Sequence, residues 1–230
     1  MRTIFPGIVF LLLLLTACKE KSTPGLSATD LKCSGLENPQ GVSMTPVFSW
    51  DLTSKIRGEK QTAFEIIVGS DKSVTDKFIG DIWDSGKQTS EKSDWISFQG
   101  HSLLPGKQYF WRVRVWDMNG EPSPWSVTGE FFTGLFVKED WGSAKWIGYE
   151  DIADSLLLVP GVHGNGDNLG EKAKKRMTVP YFRKEFSVSK KIISAHFFIS
   201  GLGQYELYIN GNKTGDRFLA PGWTDYRSKC

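Results

Sequence analysis

Carboxyl groups that are close together in the sequence are the first candidates for hydrolytic chemistry. Hydrolysis of a glycosidic bond needs two of them, held about 5 to 10 Å apart, one protonated and one ionised. The candidate pairs are Asp81 with Asp84, Glu139 with Asp140, and Glu150 with Asp151. Each pair lies in a turn-like or loop segment, and nothing beside it predicts the desolvation that would raise one pKa. The sequence therefore offers no catalytic residue.

The sequence gives equally little support for a metal site or for a catalytic nucleophile. His101, His163 and His196 are 62 and 33 residues apart, so no two of them have helix or hairpin spacing. We expect His196, on an apolar strand pattern, to be a packed core residue. The stretch GNGDN (164–168) lacks the ligand series of an EF-hand, and no serine has the context of a nucleophile elbow. The sequence predicts no metal site and no organic cofactor.

The nine tryptophans could either fill cores or stack on sugar rings, because a flat indole packs well on the C–H face of a pyranose. Three lie on apolar strand patterns and are predicted core residues: Trp50, Trp95 and Trp111. Trp223 lies in the exposed-looking stretch APGWTDY, together with Asp225 and Tyr226. These last three residues are the candidate carbohydrate contacts.

The composition indicates a β-rich protein with no electrostatic preference for a polyanion. Forty per cent of the residues are hydrophobic and 13% are aromatic, while 24 Gly and 10 Pro indicate many turns. The formal net charge is only +2, which gives no reason to propose nucleic acid as a partner.

The N-terminus has the features of an export signal. The apolar or small stretch from Ile4 to Ala17 is too short to cross a bilayer, which needs roughly 20 residues. The sequence Leu-Thr-Ala-Cys ending at Cys18 resembles a bacterial lipobox. We expect residues 1–17 to be a lipoprotein signal peptide, Cys18 to be lipidated, and 18–30 to be a flexible tether. An ordinary signal peptide with a chance cysteine is the alternative. Lipidation would anchor the protein to a bacterial membrane, in the periplasm or at the cell surface.

Two other cysteines, Cys33 and Cys230, follow. Export permits a disulfide between them, but nothing in the spacing argues for one. We favour a buried Cys33 with a free thiol.

Residues 31–135 show the strand spacing of a β-sandwich. The clearest strand is in QYFWRVRVWDMNG (108–120), where Tyr109, Trp111, Val113 and Val115 share one face and Asn-Gly then supplies a turn. The preceding LLPGKQY resembles the tyrosine corner of immunoglobulin-like sandwiches, with Tyr109 returning its hydroxyl to upstream backbone. The segment resembles a fibronectin type III module.

The remainder divides into a connecting segment and a second β-pattern. Residues 136–178 contain Trp141 and Trp146 in a segment without strand period, followed by a Gly-rich basic stretch; we interpret them as a linker and an exposed loop. From 179 to 230, strand candidates are YFRKEFSV (181–188), SAHFFISG (194–201) and QYELYING (204–211). Three such strands cannot cover a sheet by themselves, so this second domain is expected to be incomplete.

Several stretches together resemble the N-terminal region of bacterial α-L-rhamnosidases of the glycoside hydrolase family 78 type. They are NPQGVSMTPVFSW (38–50), QTAFEIIVGS (61–70), IWDSGKQTS (82–90), YFWRVRVWDMNGEPSPWS (109–126), WGSAKWIG (141–148), YFRKEF (181–186) and ISGLGQYELYINGNKTGDRFLAPGWTDY (199–226). The resemblance implies an all-β chain, with a fibronectin type III or immunoglobulin-like sandwich followed by a jelly-roll-like domain. It also implies hydrolysis of terminal α-L-rhamnose from glycans by an (α/α)6 barrel, without an organic cofactor. This chain contains none of that barrel.

We therefore expect the chain to be the non-catalytic front end of an exported α-L-rhamnosidase, inactive alone, with a rhamnose-containing glycan as partner of the full-length enzyme. One alternative is a short surface lipoprotein that binds carbohydrate through its β-modules. A second is a structural spacer.

Overall fold

The computed structural model describes residues 25–148, 179–201 and 203–215, and the chain divides into two units, Met1–Phe136 and Val137–Cys230. Within its described residues, the first unit contains nine strands and one helical turn. Its strands are β1 (Leu26–Cys33), β2 (Gln40–Val42), β3 (Val47–Ser54), β4 (Ala63–Gly69), β5 (Trp83–Asp84), β6 (Gln88–Thr89), β7 (Ile96–Ser97), β8 (Gln108–Trp116) and β9 (Gly129–Thr133). The helical turn, α1 (Lys72–Thr75), follows β4 and is capped by the side chain of Asp71.

The strands of this unit form two sheets. One has the order β1-β3-β7, and the other has the order β2-β9-β8-β4-β5 with β6 also pairing to β4. All pairs are antiparallel except β2 with β9. This is an all-β sandwich, as the turn-rich composition predicts.

The core lies between the two sheets and is made of large apolar side chains from both. Phe48 of β3 and Trp111 of β8 meet there, with ring centroids 4.6 Å apart. Phe131 of β9 packs on Phe48 from the side, at 5.9 Å. Since no disulfide joins the sheets within the described residues, burial of this apolar surface is what holds them together.

Strand β8 has the alternation expected from the sequence. Tyr109, Trp111, Val113 and Val115 are all buried. Strand β4 shows no such alternation, because all seven of its residues are buried, and Ile67 on its outer side is almost completely so. The chain around Gly80 packs over it, and a Cβ on Gly80 would lie 3.1 Å from that of Ile67. A covered outer face removes the period-two signal that distinguishes inside from outside.

Two expectations about the first unit are wrong. Residues 26–30, assigned to a flexible tether, form the start of β1, where Leu26 and Ala28 are buried and pair with β3. A polar segment can still add an edge strand when every second residue is small or apolar. Trp95 was predicted to be core and is instead 75% exposed, because regular pairing in β7 begins only at Ile96.

The described part of the second unit contains a 3₁₀ turn (Lys138–Trp141) and a hairpin of β10 (Tyr208–Ile209) with β11 (Asn212–Lys213). Asn210 and Gly211 both have positive φ, at 50° and 81°, as a two-residue hairpin loop requires.

The strands expected over 181–188 and 194–201 are not formed in the described residues. His196, predicted to be in a core, is exposed. Alternating apolar residues supply strand propensity, but a regular strand also needs a ladder of hydrogen bonds with a neighbouring strand.

Candidate functional site

The turn before β8 is fixed by the hydroxyl groups of Tyr109 and Thr133. The backbone N–H of Leu104 donates to the Tyr109 hydroxyl oxygen at 2.9 Å. The carbonyl of Leu104 accepts from the Thr133 hydroxyl at 2.7 Å, and that same hydroxyl oxygen accepts from the N–H of Lys107 at 2.9 Å. Both polar groups of the Leu104 backbone are therefore satisfied by side chains, and Tyr109 has a structural role.

The buried side chain of Gln61 anchors the segment that leads into β7. Its oxygen accepts from the indole N–H of Trp50 at 3.0 Å. Its nitrogen donates to the carbonyls of Ser90 and Lys92, at 3.1 and 2.7 Å. The backbone N–H of Trp50 also donates to the backbone carbonyl of Ser93, at 2.8 Å. Residues 90–93 are thus held to the sandwich, although they form no regular strand.

The outer face of the larger sheet carries six side chains in successive contact, which we call the arginine–aromatic ladder. In order of contact they are Lys87, Trp116, Arg114, Trp125, Phe78 and Arg112. The guanidinium carbon of Arg114 lies 5.0 Å from the ring centroid of Trp116 and 4.7 Å from that of Trp125. Each aromatic ring contacts two other members, so the ladder stabilises the sheet surface from outside the core.

Two carboxylates form ion pairs with the arginines of this ladder. Glu65 pairs with Arg114 at 2.6 Å, and Asp76 pairs with Arg112 at 2.6 Å. Asp76 also accepts from Lys72 and Thr128. These partners, Lys72 first, hold the pKa of Asp76 well below its ordinary value. Asp76 is therefore a structural anion that joins α1 to β8.

Three of the acids considered from the sequence accept hydrogen bonds from backbone N–H groups. Asp81 accepts from the N–H of Ser70, Asp84 from that of Gly86, and Asp140 from that of Val137. Asp81 and Asp84 are exposed. The pair Glu150 and Asp151 lies outside the described residues.

Trp95 lies at one end of a polar row on the outer face of the smaller sheet. Trp95 directly precedes β7, and its backbone N–H donates to the hydroxyl of Ser49 in β3 at 3.2 Å. Ser49 in turn pairs with Lys32 of β1. Lys32 forms an ion pair with Asp30 at 2.8 Å and interacts electrostatically with Asp51. We call Trp95, Ser49, Lys32, Asp30 and Asp51 the Trp95 row.

The other predicted site residues fall outside the described residues. They are Cys18, Trp223, Asp225 and Tyr226, and their roles remain predictions. In the part of the chain that is described, no group of three or more His, Cys, Asp or Glu could hold a metal ion. No helix in that same part is long and apolar enough to cross a membrane.

Two family models match the chain in succession. The Rha78A-like N-terminal immunoglobulin domain matches residues 28–137, which comprise nearly all of the sandwich. The alpha-L-rhamnosidase N-terminal domain matches residues 190–230. This chain carries the N-terminal region of the α-L-rhamnosidase family.

Curated rhamnosidases align along most of its length. An alpha-L-rhamnosidase of Formosa agariphila is 32% identical over 95% of this chain and 24% of its own length. One from an Alteromonas species is 32% identical over 87% of this chain and 21% of its own length. The chain thus spans about a quarter or less of these rhamnosidases.

One solved rhamnosidase structure is similar over about half of this chain. The alpha-L-rhamnosidase of Streptomyces avermitilis, whose structure contains L-rhamnose, is 36% identical over 54% of this chain and 12% of its own, with a TM-score of 0.51. The family assignment made from the ordered sequence motifs is thereby confirmed.

Two features of this rhamnosidase region escaped the sequence reasoning. The outward residues of β8 give a signal for the ladder, because Arg112 and Arg114 lie between Phe110 and Trp116 on that face. No sequence pattern indicates that Trp95 is exposed, because Asp-Trp-Ile-Ser has the same alternation as a half-buried strand.

Proposed function

We propose that this chain forms the N-terminal accessory β-modules of an exported α-L-rhamnosidase, an enzyme that hydrolyses terminal α-L-rhamnose from glycans. The observation that supports this most directly is the ordered match of both N-terminal rhamnosidase domains, at 28–137 and 190–230. The modules would support the catalytic region rather than perform the hydrolysis.

The chemistry of the described carboxylates supports an accessory role. A glycosidase needs one carboxyl group kept protonated by desolvation and a second, ionised one facing it across the bond. Asp76 and Glu65 are instead paired with arginines, Asp81 accepts from the N–H of Ser70, and Asp84 accepts from the N–H of Gly86. We therefore propose that the acid and base of the reaction belong to another region of the rhamnosidase.

The test is turnover of an aryl α-L-rhamnoside by the purified chain, with an active α-L-rhamnosidase as positive control. We expect no release of the aryl group by this chain. Release that disappears when one of its own acids is mutated would contradict the accessory role.

The DNA downstream gives a second test: sequence in any frame that encodes the rest of a rhamnosidase supports the proposal, and unrelated sequence counts against it.

We also propose that Cys18 is lipidated and tethers the rhamnosidase to a bacterial membrane. This rests on the apolar stretch before Cys18 and on its lipobox-like sequence. In cells fed an alkyne fatty acid, the parent should be labelled and should partition into detergent. Cys18→Ala should lose both properties, while the control Cys230→Ala keeps them. Labelling that survives in Cys18→Ala would contradict a lipid anchor at this residue.

A further inference from the structure

Trp95 combines two properties that stability does not explain. Its side chain is 75% exposed, and its backbone has φ +51°, in the left-handed region. That conformation costs an L-residue roughly 1–2 kcal/mol, and Asn or Gly would adopt it more readily. Residues held in such conformations cluster at binding sites, where the surrounding structure imposes them.

The surrounding structure does impose the position of Trp95. The preceding residues are fixed by Gln61 and by the N–H of Trp50, and the following residue pairs with Phe48 in the core. The indole is therefore presented on a rigid support, with little freedom to lose on binding. Phe78 offers a contrast: it also has positive φ, at 62°, but it is in contact with Trp125 and Arg112 within the ladder.

The groups beside Trp95 indicate what kind of ligand would fit. Along the Trp95 row, Ser49, Lys32, Asp30 and Asp51 supply a hydroxyl, an ammonium group and two carboxylates. Asp30 itself has φ +49°, at the irregularity in β1 between Thr29 and Lys32. A protein-binding surface would place an apolar patch around its aromatic anchor, whereas the residues that follow Trp95 in this row carry polar side chains.

We propose that the Trp95 row is a glycan-binding site, in which the Trp95 ring stacks on the C–H face of a neutral pyranose. Lys32, Asp30 and Asp51 then exchange hydrogen bonds with its hydroxyl groups. The class of ligand rests on the proposed function, because a rhamnosidase meets rhamnose-containing chains. The site would keep the enzyme on a polymeric substrate and would take no part in hydrolysis.

The experiment is native electrophoresis of the 230-residue chain in gels with or without a soluble rhamnose-rich polysaccharide, with dextran as the comparison polymer. The parent should be retarded by the rhamnose polymer. Trp95→Ala should weaken binding about tenfold or more, which corresponds to about 1.4 kcal/mol. Trp95→Tyr, which keeps a flat ring, should retain most of the retardation. The matched control is Val127→Ala, which removes an apolar side chain of similar exposure (77%) and should behave as the parent.

Three results would overturn the proposal: a parent that no rhamnose polymer retards, a Trp95→Ala variant retarded like the parent, or a self-association of the parent that Trp95→Ala abolishes. The last result would make Trp95 a protein contact. Thermal unfolding of Trp95→Asn checks for a purely structural role; we expect no loss of stability, because Asn tolerates this backbone conformation. A clear loss would also count against the site. None of these readouts measures turnover, so the accessory role could hold if this inference failed.

Discussion

The hydroxyl oxygen of Tyr109 accepts a hydrogen bond from the backbone N–H of Leu104, five residues earlier, at 2.9 Å. Tyr109 is buried beside Phe131, and its ring centroid lies 5.4 Å from that of Phe131. The contact therefore joins the turn before β8 to the core, and its removal should be measurable.

Tyr109→Phe should lower the free energy of unfolding by about 1 kcal/mol or somewhat more, because the Leu104 N–H loses its partner while the ring packing is kept. Urea unfolding followed by tryptophan fluorescence measures this. Tyr181→Phe removes a hydroxyl from a residue that is 85% exposed and is the matched control, expected to have no effect. Equal stabilities of Tyr109→Phe and the parent would show that the bond contributes nothing.

Gly129→Ala should destabilise the sandwich through a steric conflict with Trp111. A Cβ at position 129 would lie 2.7 Å from the indole nitrogen of Trp111, which is buried in the core and cannot move aside. We expect a loss of about 1–3 kcal/mol, the usual cost of an added methyl group in a packed core. The exposed neighbour Val127 provides the comparison, and its replacement by alanine should change little. A Gly129→Ala protein as stable as the parent would be incompatible with this packing.

Asp76→Asn should flatten the acid limb of the stability profile. The pKa of Asp76 is lowered by its bonds to Lys72, Arg112 and Thr128. A carboxyl whose pKa is lower in the folded state stabilises the protein above its ordinary pKa of 3.8, and this stabilisation is lost as the pH falls through the lower, folded-state value.

The measurement is the unfolding midpoint in urea from pH 6 down to acid pH. The parent should lose more stability than Asp76→Asn below about pH 4, and at neutral pH the variant should be the less stable of the two. Glu91→Gln, which neutralises an exposed carboxyl elsewhere on the sandwich, should follow the parent curve. Parallel curves for the parent and Asp76→Asn would contradict the proposed coupling.

The thiol of Cys33 should be unreactive in the folded protein. It is free and buried, and burial raises its pKa to about 12. The reactive thiolate is therefore scarce at neutral pH. In a chain with Cys18 and Cys230 replaced by serine, Ellman's reagent should find no reactive thiol until denaturant is added, and then one. Rapid reaction in buffer alone would show that Cys33 is accessible.

The sequence predicts which side chains of a strand face the core wherever one face of the strand is buried and the other is not. In β8, Trp111 and Val113 alternate with Arg112 and Arg114, and a shift of one residue would bring the arginines into the core. The hairpin turn at Asn210 and Gly211 is equally predictable, because few other residue pairs accept positive φ at both positions.

Prediction fails where contacts distant in sequence decide the outcome. Ile67 is buried on the outer side of its strand because the chain near Gly80 folds over it. Trp95 is exposed because hydrogen bonds from Gln61 and Trp50 fix the segment before it, 29 or more residues away in the case of Gln61. Periodicity describes one segment at a time and cannot register such contacts.

The side chain of Gln61 has a further consequence for which substitutions the sandwich can accept. Its amide nitrogen faces the carbonyl oxygens of Ser90 and Lys92. Glutamate has nearly the same shape, but it would set an oxygen against each of those carbonyls, so two attractions would become two repulsions between lone pairs. Position 61 therefore requires an amide group. Glutamate has nearly the same volume and differs by one heavy atom, yet it should not be tolerated there.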